Sequence, residues 1–162
     1  MKKLFCFFAL ILFGPTLLIG QKSITWYLNR NDSIGGFAAS ALTKRPEIFG
    51  KGNEKFLQFN GINEALLIDG NPLGDADEFT IEVIFRPDSS LNPANKEQRF
   101  IHIRNGADDN RRILLELRLY KNPSWALDPF IKSENSRCAL LDSNISHPAG
   151  IWYHAALVYK KV

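Results

Sequence analysis

Six side chains in the second half of the chain, Arg99, His102, Glu116, Arg118, Trp125 and Asp128, combine an aromatic ring with guanidinium, imidazole and carboxylate groups. Such a set has the chemistry of a carbohydrate-binding surface, where a ring packs on a sugar face and planar polar groups read its hydroxyls. The six residues fall in three segments, RFIHIR (99–104), RILLELRLY (112–120) and WALDPFI (125–131), whose hairpin-like order predicts neighbouring strands. Strand alternation opposes a common face: Arg99 and His102 differ in parity, as do Trp125 and Asp128. A bulge or a strand end must intervene if they are to gather. The competing expectation is that Trp125 and Trp152 fill the core while the charges solvate a sheet face.

Other chemistries fit the sequence less well. Glycoside hydrolysis needs two acids about 5–10 Å apart. Glu82 and Glu116 are expected on outward strand faces, but LLELRL holds one carboxylate beside an arginine, and such a neighbour disfavours the protonated form a general acid requires. No catalytic residue is assigned. Oxygen-rich loops at Asp69 and Asn71, at Asp75 and Asp77, and at Asp108 and Asp109 are candidate calcium ligands. The same residue types build ordinary turns, so no cofactor is expected, with calcium as the alternative. His102, His147 and His154 lack metal-ligand spacing and read as structural. Cys138 reads as a small buried apolar residue.

The elements expected to carry these groups are strands. In FTIEVIFRP (79–87), Phe79, Ile81, Val83 and Phe85 line one side, Thr80, Glu82, Ile84 and Arg86 the other, and Pro87 ends the ladder. In RILLELRLY, Ile113, Leu115, Leu117 and Leu119 face the core, leaving Glu116 and Arg118 opposite. Further strands are expected at ITWYL (24–28), PEIF (46–49, an edge), KFLQFNG (55–61), ALLID (65–69), CALLD (138–142) and GIWYHAALVY (150–159). Residues 37–42 have room for one helical turn, SHPAG (146–150) reads as a turn, and no long helix or internal repeat is evident.

Lys2 and Lys3 followed by an apolar run and Gly20 read as a signal peptide over residues 1–20, which takes Cys6 with it. The run is at the lower limit of a bilayer span and is broken by Gly14-Pro15, so no membrane span is expected after its removal. Residues 21–162 suit one domain. The formal charge of +3 falls towards neutrality once Lys2 and Lys3 are gone, and the cations are scattered, which argues against nucleic acid. With Cys138 as the one remaining cysteine, no internal disulfide is possible.

The series FLQFNG, DGNPLG, FTIEVIFRP, EQRFIHI, LLELRL, WALDPFI and HPAGIWYHAALVY resembles the laminin-G-like, concanavalin A-like lectin/glucanase superfamily from about Trp26 to Tyr159. The most diagnostic piece is the W-Y-H-x-A-L-V-Y strand at 152–159. The resemblance implies an all-β, antiparallel jelly-roll β-sandwich. It also implies a following strand with Y-V-N-G and others beyond it, so the chain is expected to be a C-terminally incomplete piece of a longer reading frame, marginal or aggregation-prone by itself. Retaining glucanases of the superfamily carry an E-x-D-x-E strand, which is absent here. The implied function is an exported, non-catalytic binding or adhesion module, secreted, periplasmic or at the cell surface, with glycans and further domains of the same polypeptide as partners. The alternatives are the N-terminal part of a glycan-cleaving enzyme and a structural protein–protein interaction module.

Overall fold

The computed structural model describes residues 22–88, 96–106, 110–120 and 123–161, and every described strand pairing but one isolated bridge is antiparallel. The strands in chain order are β1 (Ser33–Ile34), β2 (Phe37–Ala41), β3 (Glu47–Phe49), β4 (Phe56–Gln58), β5 (Leu66–Ile68) and β6 (Phe79–Phe85). They continue with β7 (Glu97–Arg104), β8 (Arg111–Leu119), β9 (Ser124–Ser133), β10 (Ser136–Ala139), β11 (His147–Pro148) and β12 (Tyr153–Tyr159). One turn of 3-10 helix at Gly52–Glu54 is the only helical element among the described residues, so none of their helices is long and apolar enough to cross a membrane. The proposed leader, and with it Cys6, lies outside the described residues, as do Pro93, Asp108, Asp109 and Val162.

The main sheet runs β10-β9-β8-β7, with β11 also paired to β9. Its centre is β8, and alternation puts Leu115, Leu117 and Leu119 on one side, all buried. Opposed to that side is the ribbon of β6 and β12, whose register runs from Tyr153 opposite Phe85 to Tyr159 opposite Phe79. The two layers meet through aromatic rings. Phe85 stacks on Phe100 at 4.7 Å and meets Trp125 edge-on at 5.2 Å, and Tyr153 meets Trp125 edge-on at 4.9 Å. Leu117, Leu119 and Trp125 form the buried cluster beneath them. These offset and edge-on contacts suit the ring quadrupole, and the apolar area they remove from water is the main force joining the layers.

The smaller sheets are β1-β2-β5 and β3-β4. Pairing of Glu47–Phe49 with β4 alone agrees with the expected edge strand. Four local expectations are overturned. Residues 24–28 form no strand; Trp26 instead packs on Phe37 at 6.0 Å and covers Gly35. Residues 37–41 are strand β2, because pairing with β5 on one side and β1 on the other outweighs a single unsupported helical turn. Residues 147–148 of the expected turn pair with β9. Cys138 is exposed, because β10 is the outer strand of its sheet.

Candidate functional site

One face of the main sheet gathers the polar residues, and a single irregularity makes this possible. Arg99 pairs with Glu116 and Ile101 with Leu115, so Phe100 is an extra residue in β7 and the register shifts across it. A bulge of this kind resets alternation by one position. Arg99 before it and His102 after it therefore project to the same side, while the Phe100 ring turns into the core against Phe85. Directly opposed residues in an antiparallel pair share a face, so this side carries Glu97, Arg99 and His102 from β7, Glu116 and Arg118 from β8, and Asp128 from β9.

Trp125 does not join them. It pairs with Leu119 on the core side, is 2% exposed, and donates its indole N–H to the Pro148 carbonyl at 3.3 Å. An aromatic platform there is excluded by burial, as the core reading of Trp125 anticipates. Trp152 reverses that reading for itself: it is 50% exposed, in edge contact with Phe56 at 5.5 Å and below the Arg86 guanidinium at 5.6 Å.

The charges on the polar face are paired across strands. Arg99 Nε donates to Glu116 Oε1 at 2.5 Å, and Arg118 donates to both Glu97 and Asp128, tying β7, β8 and β9 together. Glu116 and Asp128 are 6% and 5% exposed, so the outward, solvated placement expected of Glu116 is corrected: its neighbours cover it. Each of these two carboxylates is committed to an arginine. The hydrogen bond that Arg118 donates to Asp128 leads the interactions that raise the Arg118 pKa above its ordinary value, against the cost of burial. Among the described residues, Arg118 Nε and the Tyr120 hydroxyl are buried without a hydrogen-bond partner.

Beside Arg99 the face opens into a cleft of about 470 Å³, lined by Gly61, Ile62, Glu64, Glu97, Gln98 and Arg99. Its lip is the turn after β4. Asn60 Oδ1 accepts the N–H groups of Ile62, Asn63 and Glu64 at 2.9, 3.1 and 3.3 Å, a side-chain turn closed by Glu64 Oε2 accepting the Asn60 N–H at 2.8 Å. Gly61 has φ 67°, a conformation that favours glycine, and it lies against the Gln98 side-chain amide, whose Nε2 would be 3.0 Å from a Cβ placed there. Lys44 holds Glu64 at 2.7 Å, and that hydrogen bond is the main cause of the lowered Glu64 pKa. Ile62 is 75% exposed and the Arg99 side chain 52%, which leaves an apolar and a cationic group open to a ligand. Glu97, Gln98, Ile62 and the Asn60–Glu64 turn are absent from the set read off the sequence. Asn-Gly marked the turn, but nothing in the sequence placed it against β7.

No group of three or more His, Cys, Asp or Glu side chains suited to a metal ion occurs among the described residues. Asn71 spends its amide on its own turn, accepting from the Leu73 N–H at 3.0 Å and donating to the Gly74 carbonyl at 3.2 Å. Asp77 faces Lys161 at 3.6 Å. His154 meets Glu82 at 3.1 Å on the outer face of the ribbon, and His147 packs on Trp125 at 5.0 Å. No protein-family model, curated protein or solved structure matches this chain.

Proposed function

We propose that this chain is an exported, non-catalytic binding or adhesion module of the laminin-G-like jelly-roll type, and that it holds carbohydrate in the cleft beside Arg99. The observation that carries this reading is the bulge at Phe100, which turns Arg99 to the side of Glu116, Arg118 and Asp128 and opens that side onto a cleft with an exposed apolar lip. An ion-paired floor holds such a cleft in shape, and preorganised polar groups bind a hydroxyl-rich ligand at lower entropic cost. The jelly-roll assignment is supported by two antiparallel layers meeting through Phe85, Trp125 and Tyr153. A second reading, a structural module that binds another protein, is favoured by the outer face of the ribbon, where Ile84 and Val158 are 70% and 67% exposed.

Retention on a panel of immobilised glycans tests the proposal. The unaltered protein is expected to be retained, and Ile62→Asp and Arg99→Gln each to weaken retention about tenfold, the size of one lost charged or apolar contact. Retention unchanged in both variants rejects the cleft. Failure to retain any glycan leaves the protein-binding reading in its place.

A further inference from the structure

The outer face of the ribbon takes no part in glycan binding, and its side chains follow an ordered pattern. Strand alternation puts Thr80, Glu82 and Ile84 of β6 on this side, with Val158, Ala156 and His154 opposite them on β12. The same register carried one step past the strand ends brings Arg86 beside Trp152, and the Arg86 guanidinium lies 5.6 Å from that ring. Three neighbouring rows therefore cross the face: Arg86 with Trp152, Ile84 with His154, and Glu82 with Ala156. Ile84 and Trp152 are both open to solvent.

Two charges on these rows are uncommitted. Among the described residues Arg86 touches the Trp152 and Phe56 rings and makes no ion pair or hydrogen bond. Glu82 has only His154, at 3.1 Å, a partner that carries charge only when protonated, and the two side chains are 61% and 59% exposed. Arg86 and Glu82 stand on the same side of one strand, about 13 Å apart, with Ile84 midway between them. A planar guanidinium and a carboxylate are natural partners, yet each is missing the other here.

We propose that this face pairs with the same face of a second copy of the chain, about a two-fold axis that lies between the two faces and crosses β6 at Ile84, at right angles to the strand. Such an axis lays the two β6 strands antiparallel, face to face, and an isologous contact makes every pairing twice. Arg86 of each copy then meets Glu82 of the other. The same operation sets Trp152, the bulkiest side chain of the face, over Ala156, the smallest, while Ile84 packs on its own counterpart. Charge and size are thus complementary under one symmetry operation, which is what singles out a second copy as the partner. The face is about 20 Å long from Thr80 to Arg86 and two strands wide, small beside the roughly 800 Å² that each partner buries in a standard interface, so the dimer is a weak one.

The proposal rests on the protein-binding reading of this face and names its partner. Sedimentation equilibrium over about 5–500 µM protein tests it, with a dissociation constant of about 10–100 µM expected. Arg86→Glu and Glu82→Arg each bring like charges together twice, so each is expected to weaken the dimer at least about tenfold. The two reversals made in one chain exchange the signs and should return the dissociation constant to within about threefold of the original. Ile84→Asp is expected to abolish the dimer, and glycan retention at the Arg99 cleft to be unchanged in all four variants. A protein that stays monomeric at 500 µM overturns the second copy as partner and leaves the protein-binding reading to a different one. Dimerisation that ignores both reversals, or a double variant as weak as the single ones, removes the ribbon face as the contact.

Discussion

The two tryptophans of the opening alternatives behave oppositely, and the reason lies in what each ring touches. Trp125 is enclosed by Phe85, Tyr153 and His147 and keeps its indole N–H satisfied by Pro148. Trp152, one residue before β12, covers Phe56 on one side and meets water on the other. Removing a buried ring costs the transfer energy and leaves a cavity, so Trp125→Ala is expected to destabilise by about 3–5 kcal/mol. Trp152→Ala gives up an edge contact and a guanidinium contact at a half-wet site, about 1 kcal/mol. Urea unfolding of the two variants checks the ordering, and equal costs would contradict the placement of Trp125 in the core.

Among the elements, β7, β8 and β9 owe their common polar face to the Phe100 bulge and their cross-linking to Arg118. Alanine at Arg118 strands a buried Asp128 carboxylate without its cation, so a loss of about 3 kcal/mol is expected. Removing Asp128 as well should restore part of it, because the unpaired buried charge goes too. Denaturant midpoints for the single and double variants test this; a double variant as unstable as the sum of its parts would show that the two groups are not coupled. The strand period made β6, β8 and β12 legible, because Phe79, Ile81, Val83 and Phe85, then Ile113, Leu115, Leu117 and Leu119, then Tyr153, Ala155, Leu157 and Tyr159 recur at every second position, although Ile84, Leu114 and Val158 put apolar groups on the other face too. The bulge was legible only as a requirement. Parity showed that Arg99 and His102 needed one, but whether an extra residue is accommodated depends on Phe85 waiting to receive the Phe100 ring, a contact between segments distant in the chain.

At the scale of the whole molecule, two antiparallel layers enclose an aromatic core on one side of the main sheet and present a polar face on the other, ion-paired around Arg99 and Arg118. The sequence showed strands and hence the all-β class. It did not show that β4 and β5 separate to pair with β3 and β2, since an Asn-Gly turn between two apolar runs suits a hairpin equally well. For the same reason the cleft went unread, as it forms where the turn after β4 meets β7. The central claim is that ligand binds on this face and not on the ribbon. Amide chemical-shift mapping, with the glycan best retained by the protein titrated into labelled sample, tests it most directly. The account predicts that the largest shifts fall on Ile62, Glu97, Gln98 and Arg99 and spread across β8 and β9; shifts confined to β6 and β12, or none at saturating glycan, would contradict it.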